Sequence, residues 1–183
     1  MKIPATEGRE IKFVALPYQK QELPIFPCKG IAPWEKIFFE KATRGVIERY
    51  KWFNEFPDAN LGFATGLNCF VVEACYPDGA ISLAKLEKEY ALLPETAEVR
   101  IGNGSKQLFF NCPEEIAITS SSNQLGEGIV VYGKGQFVLL PPSIQANSMP
   151  NKWRTSAPVS DAPHWLIELI TSTCNDEKGS ENE

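Results

Sequence analysis

One acid, Glu73, interrupts the apolar run Cys69-Phe70-Val71-Val72-Glu73-Ala74-Cys75. A carboxylate there either belongs to an acid site or reaches water or a basic partner from a strand end, because a buried, unpaired acid is costly. Cys75 reads as a small core residue rather than a reactive thiol. Further on, Gly104-Ser105-Lys106-Gln107 joins the backbone amides of a glycine-rich turn to a lysine, a combination that suits an anion such as phosphate. The same residues also read as an exposed hairpin tip. Lys134, in Gly133-Lys134-Gly135, and Arg154 either extend a basic strip with Arg100 or are dispersed surface charge. Trp153 reads as a core anchor or as a platform for base stacking.

Other chemistries lack their residues. His164 is the only histidine and stands at a helix start, so a His-paired metal site or a Ser-His-Asp triad has almost nothing to work with. The five cysteines are scattered without a C-x-x-C pair, which argues against a zinc ribbon or a disulfide framework. No G-x-x-x-x-G-K-(S/T) loop occurs, so no ATPase segment is expected.

The net charge is −5, and the last thirteen residues carry four acids and one lysine. That acidic tail, residues 171–183, is expected to stay solvated and disordered. The remainder is close to neutral, without the basic excess that drives sequence-independent nucleic-acid binding. No apolar run is long enough to span a bilayer and no secretory leader is visible, so the expectation is a cytoplasmic protein with no membrane partner.

The elements that must position these residues follow from periodicity. Residues 11–27 read as short extended pieces, KFVAL and LPIF, broken by Pro17, Pro24 and Pro27. Residues 34–41 and 44–56 read as helices, the second ended by Pro57. NCFVVEACY is a buried strand. Residues 80–91 read as an amphipathic helix burying Ile81, Leu83, Ala84, Leu86 and Tyr90. AEVRI and KQLFFN form a hairpin around Gly102-Asn103-Gly104. IVVY and QFVLL read as a second pair joined through Gly133–Gly135, and HWLIELITS closes the chain as a helix. The interspersed strands and helices predict an α+β fold with antiparallel pairs.

Five segments carry a resemblance: FPDANLGFATG (Phe56 to Gly66), FVVEACYPDGAISLAKLEKEY, RIGNGSKQLFF, GIVVYGKGQFVLLPPS and KWRTSAPVSDAPHWLIELI. In this order they resemble the N-terminal domain of bifunctional DNA primase/polymerases (Prim-Pol) of the archaeo-eukaryotic primase superfamily. The fourth is similar to the family pattern Gly-(Ile/Val)-Asp-x-(Arg/Lys)-Gly-x-Gly-Gly-(Tyr/Phe), followed by a Pro-Pro-Ser. The resemblance implies an RRM-like palm sheet with packed helices. It also implies a single domain over 1–170, with an N-terminal α/β lobe (1–54) and a palm-like lobe (55–170).

The family's nucleotidyl transfer uses divalent metals held by clustered carboxylates. By resemblance, two acids at alternate strand positions fall on Glu73 and Cys75, a third on Val130, and a phosphate-contacting histidine on Gln107. Only Glu73 keeps a hard oxygen ligand, too few for Mg²⁺ or Mn²⁺. The expectation is therefore a replication-associated pseudoenzyme that needs no cofactor. It would keep residual binding of a nucleotide or single-stranded nucleic acid through Ser105, Lys106, Gln107, Arg100 and Lys134, and act beside a replication protein such as a helicase. Two alternatives differ in class. One is an active polymerase whose Mg or Mn site is rebuilt from Glu73, Asp78 and Glu127, and the other is a pure protein-interaction module.

Overall fold

The computed structural model describes residues 11–21, 23–35, 42, 46–113, 115–145, 149–155 and 157–172. Two mainly antiparallel sheets share a buried core and are packed with helices, giving an α+β fold.

Helix α1 (Ile11–Lys20) forms where extended structure is expected. Ile11, Val14, Ala15 and Tyr18 are all buried and recur at i, i+3, i+4 and i+7, so helical periodicity outweighs Pro17, which the helix contains. Strands β1 (Ile25–Lys29) and β2 (Ala32–Pro33) make a hairpin turning through Gly30, whose φ is +62°. Residues 36–41 of the expected first helix lie outside the described residues. Helix α2 (Val46–Glu55) matches the expected second helix and stops before Pro57.

Strand β3 (Asn60–Ala64) joins β1, and β9 (Phe137–Leu140) joins β3, completing a first sheet ordered β2-β1-β3-β9. The lobe boundary expected at residues 54/55 is thus not the boundary between sheets, since residues on both sides of it share this one. The buried hydroxyl of Ser143 accepts the Leu61 N–H at 2.8 Å, tying the Pro-Pro-Ser segment to β3.

The second sheet is centred on β4 (Cys69–Ala74), all six residues of which are buried. Its neighbours are β6 (Lys106–Asn111) and β8 (Ile129–Tyr132). Beyond them lie β5 (Glu98–Arg100), β10 (Lys152–Trp153) and β7 (Ser121–Ser122), in the order β10-β5-β6-β4-β8-β7. A short β11 (Ser160–Asp161) pairs in parallel with β6. The β5–β6 hairpin forms around Gly102–Gly104 as its Asn-Gly turn predicts.

Alternation divides this sheet into two faces. Phe70, Val72, Leu108, Phe110, Ile129 and Val131 pack with helices α3 (Asp78–Glu89) and α4 (His164–Ser172). Val71, Val99 and Phe109 pack instead against Ile25, Leu61, Phe63, Val138 and Leu140 of the first sheet, and against α1.

Three further expectations are corrected. IVVY and QFVLL are not a hairpin: β8 pairs with β4 and β7, whereas β9 pairs with β3. The Gly133–Gly135 turn carries the chain between sheets, anchored by the Thr65 hydroxyl donating to the Gly133 carbonyl at 2.7 Å. Ile81 and Ala84 on α3, and Tyr90 just after it, are exposed. That helix meets the sheet along Gly79, Leu83 and Leu86, and Gly79 lies so near the Gly128 carbonyl that an added Cβ would come within 2.3 Å of its oxygen. Finally, α4 extends through Ser172, inside the segment expected to be a disordered tail; residues 173–183 lie outside the described residues.

Candidate functional site

Glu73 lies directly opposite Gln107 on β6 and Val130 on β8. Paired residues on adjacent strands share a face, so the three stand abreast on the side turned toward the first sheet. Cys75 follows two residues after Glu73, and its thiol lies 3.6 Å from Glu73 Oε1. The four positions singled out through the resemblance are thus neighbours in space.

Glu73 and Gln107 are both buried, at 8% and 2% exposure. Gln107 Nε2 donates to Glu73 Oε2 at 2.8 Å, and the Cys75 thiol donates to the other oxygen. The carboxylate is therefore solvated by neutral donors of the protein itself. Its charge fixes the amide orientation of Gln107: turned the other way, an amide oxygen would face a carboxylate oxygen. Gln107 Oε1 is left buried without a hydrogen-bond partner.

Burial first, then the Glu73 charge, pushes the Cys75 thiol up to about 11. Burial, followed by the same carboxylate, also raises the Tyr132 hydroxyl well above the usual phenol range. Alkylation of Cys75 should thus be slow at pH 7 and rise about tenfold per pH unit toward pH 11, since the thiolate is the nucleophile. Iodoacetamide labelling read by peptide mass spectrometry checks this; a rate that levels off near pH 8.5 would mean an unperturbed thiol.

Glu73 opens on a cleft of about 270 Å³ between the two sheets. Its polar lining is Glu73, Gln107, Tyr132, Gln136 and Gln145, and Ile31, Phe137 and Leu139 supply apolar wall. Among the described lining residues there is one carboxylate and no Lys or Arg. Sequence reasoning missed Tyr132, Gln136 and Gln145. The first was findable: it lies two residues past Val130 on one strand, hence on the same face, and stands where the quoted family pattern has Arg or Lys.

The other candidates are not drawn into this cleft. Arg100 and Lys106 pair with each other, and Lys106 with Ala74, one register step from Glu73, which puts both cations on the opposite face. Two amides of the glycine-rich turn are engaged within it: Gly104 N–H donates to Ile101 O, and Ser105 N–H to Asn103 Oδ1. The buried Ser105 hydroxyl accepts the Tyr76 N–H at 3.0 Å. Lys134 is exposed in the turn between sheets. Asp78 and Glu127 line a different cleft beside α3, together with Ser82 and Lys85, and do not join Glu73. His164 is exposed and faces Glu168 on its own helix at 3.2 Å. Trp153 is an anchor, its Nε1–H donating to the Tyr18 hydroxyl at 2.8 Å and its ring lying 5.4 Å from that of Phe109.

A protein site that holds Mg²⁺ or Mn²⁺ with substrate phosphates uses one or two carboxylates whose oxygens are free to face the ion. Glu73 is the one carboxylate among the four positions, and both of its oxygens already accept hydrogen bonds from Gln107 and Cys75, which does not fit that requirement. Among the described residues no group of three His, Cys, Asp or Glu side chains is gathered closely enough to hold a metal ion. Nor is any described helix long and apolar enough to cross a membrane.

A family model described as bifunctional DNA primase/polymerase, N-terminal (Prim-Pol), matches residues 15–165. No curated protein sequence matches the chain.

Proposed function

The chain belongs to the Prim-Pol family, the N-terminal domain of bifunctional DNA primase/polymerases, and from that premise we propose that it is a non-catalytic member that binds single-stranded nucleic acid without extending it. The observation that carries this reading is the environment of Glu73. Both of its oxygens face neutral protein donors, and the positions beside it are a valine and an amide. No metal-assisted step can be derived from that set. Charge argues in the same direction: a nucleoside triphosphate entering the cleft would meet a carboxylate and no described cation. The rebuilt site of the active alternative is not favoured either, since Asp78 and Glu127 open onto another cleft. A role in replication would then run through a partner protein that supplies the catalysis.

Primer extension tests the proposal. A labelled primer–template with all four deoxynucleotides and either Mg²⁺ or Mn²⁺ should show no incorporation above a no-protein control. Incorporation that disappears in Glu73→Gln would overturn the reading.

A further inference from the structure

The face of the second sheet turned away from Glu73 carries an ordered row of charge. Lys106 on β6 pairs with Arg100 on β5, and Arg100 pairs with Lys152 on β10. Three cations therefore stand directly opposite one another across adjacent strands, on one face. Like charges in direct cross-strand opposition destabilise a sheet. Among the described residues neither Arg100 nor Lys106 has an acidic partner within 4 Å. Arg154, two residues after Lys152, extends the same face and is exposed, also without such a partner. In a chain of net charge −5 this is a local reversal of sign.

An aromatic ring lies beside the β6 end of the row. Tyr76 lies two residues past Ala74, the residue paired with Lys106 and the last of β4, and is 68% exposed. Its position is fixed: its N–H donates to Ser105 Oγ, and its ring covers the turn where a Cβ on Gly104 would lie 3.4 Å away. Lys106, Arg100 and Lys152 thus form one line across three strands, about 10 Å long at the usual strand spacing, with Tyr76 beside its β6 end.

We propose that this row is a binding surface for a single-stranded phosphodiester chain, with Lys106, Arg100 and Lys152 meeting successive phosphates and Tyr76 stacking on a base. It rests on the reading that the domain binds single-stranded nucleic acid, and adds that binding occurs on the face away from the Glu73 cleft. A partner with spaced negative charges relieves the repulsion between Arg100 and Lys106, which stand opposed on adjacent strands. Exposed aromatic rings beside basic side chains are the usual means of holding unpaired bases without sequence preference.

Fluorescence anisotropy with labelled oligo-dT and oligo-U measures the surface directly, and the tighter of the two identifies DNA or RNA as the ligand. The full chain should bind with affinity falling as salt rises. The triple substitution Arg100→Gln, Lys106→Gln, Lys152→Gln should weaken binding at least about tenfold. It should also flatten the log–log salt slope by about 2, from roughly 0.7 for each phosphate that no longer meets a cation. Glu98→Gln removes the acid two residues before Arg100 on the same face and should tighten binding, a gain that misfolding cannot produce. If the full chain binds neither oligomer, this surface and the nucleic-acid reading fail together. If it binds, but the folded triple variant keeps the affinity and the salt slope, the surface is wrong and the broader reading stands.

Discussion

Replacing Cys75 and Val130 together by aspartate is expected to raise the affinity of the cleft for Mn²⁺ well above that of the natural chain. The geometry is already in place. Val130 stands directly opposite Glu73 on the neighbouring strand, and Cys75 Sγ lies 3.6 Å from Glu73 Oε1. Side chains opposed in this way have Cβ atoms about 5 Å apart, which allows their carboxylates to converge on one ion. Three acids so close repel one another without metal, so the double variant should melt below the natural protein. Mn²⁺ binding only the folded state should then restore stability. At a hundredfold excess over Kd the gain is about 2.7 kcal/mol, roughly 5–10 °C in melting temperature for a domain of this size. The natural chain should show no such shift under the same titration. A folded double variant whose melting temperature ignores Mn²⁺ would mean that the three positions do not share a site.

Trp153→Ala should be the most damaging single substitution at the junction of the two sheets. The ring packs beside Phe109 and against the core that unites α1 with both sheets, and its N–H ends on the fully buried Tyr18. Losing both is expected to cost about 3 kcal/mol or more, read from the shift of a urea unfolding midpoint. Trp153→Phe keeps an aromatic ring but not the donor, and should cost about 1 kcal/mol. If Trp153→Ala changed stability by no more than about 0.5 kcal/mol, the side chain would be behaving as surface, and its reading as a stacking platform would regain weight.

Much of this architecture is legible in the sequence because local signals and tertiary demands agree. The β5–β6 hairpin follows from Asn103-Gly104 sitting between two β-rich segments, and β4 from an apolar run of strand length. Helix α1 escapes a local reading because Pro17 signals a break, although the 11-14-15-18 stripe is what the fold buries. The β8–β9 error has a different origin. A Gly-Lys-Gly turn looks the same whether it closes a hairpin or passes a strand to another sheet, and only the long-range partners, β4 on one side and β3 on the other, distinguish the two.

The site divides along similar lines. The motif order places Glu73, Cys75, Gln107 and Val130 together, and the strand register gives them one neighbourhood. Neighbours in sequence do not become neighbours in function on a strand. Lys106 adjoins Gln107 but alternation sends it to the other face, and Arg100 goes with it. The cleft's remaining polar lining, Gln136 and Gln145, comes from segments flanking β9, whose position depends on pairing with β3 rather than on any local pattern.

Titration of the natural chain with Mn²⁺, followed by electron paramagnetic resonance of the free ion, tests the central claim about Glu73. A carboxylate already held by Gln107 and Cys75, with valine beside it, should leave the free-ion signal unchanged through millimolar concentrations. A stoichiometrically bound Mn²⁺ that is released by Glu73→Gln would contradict it.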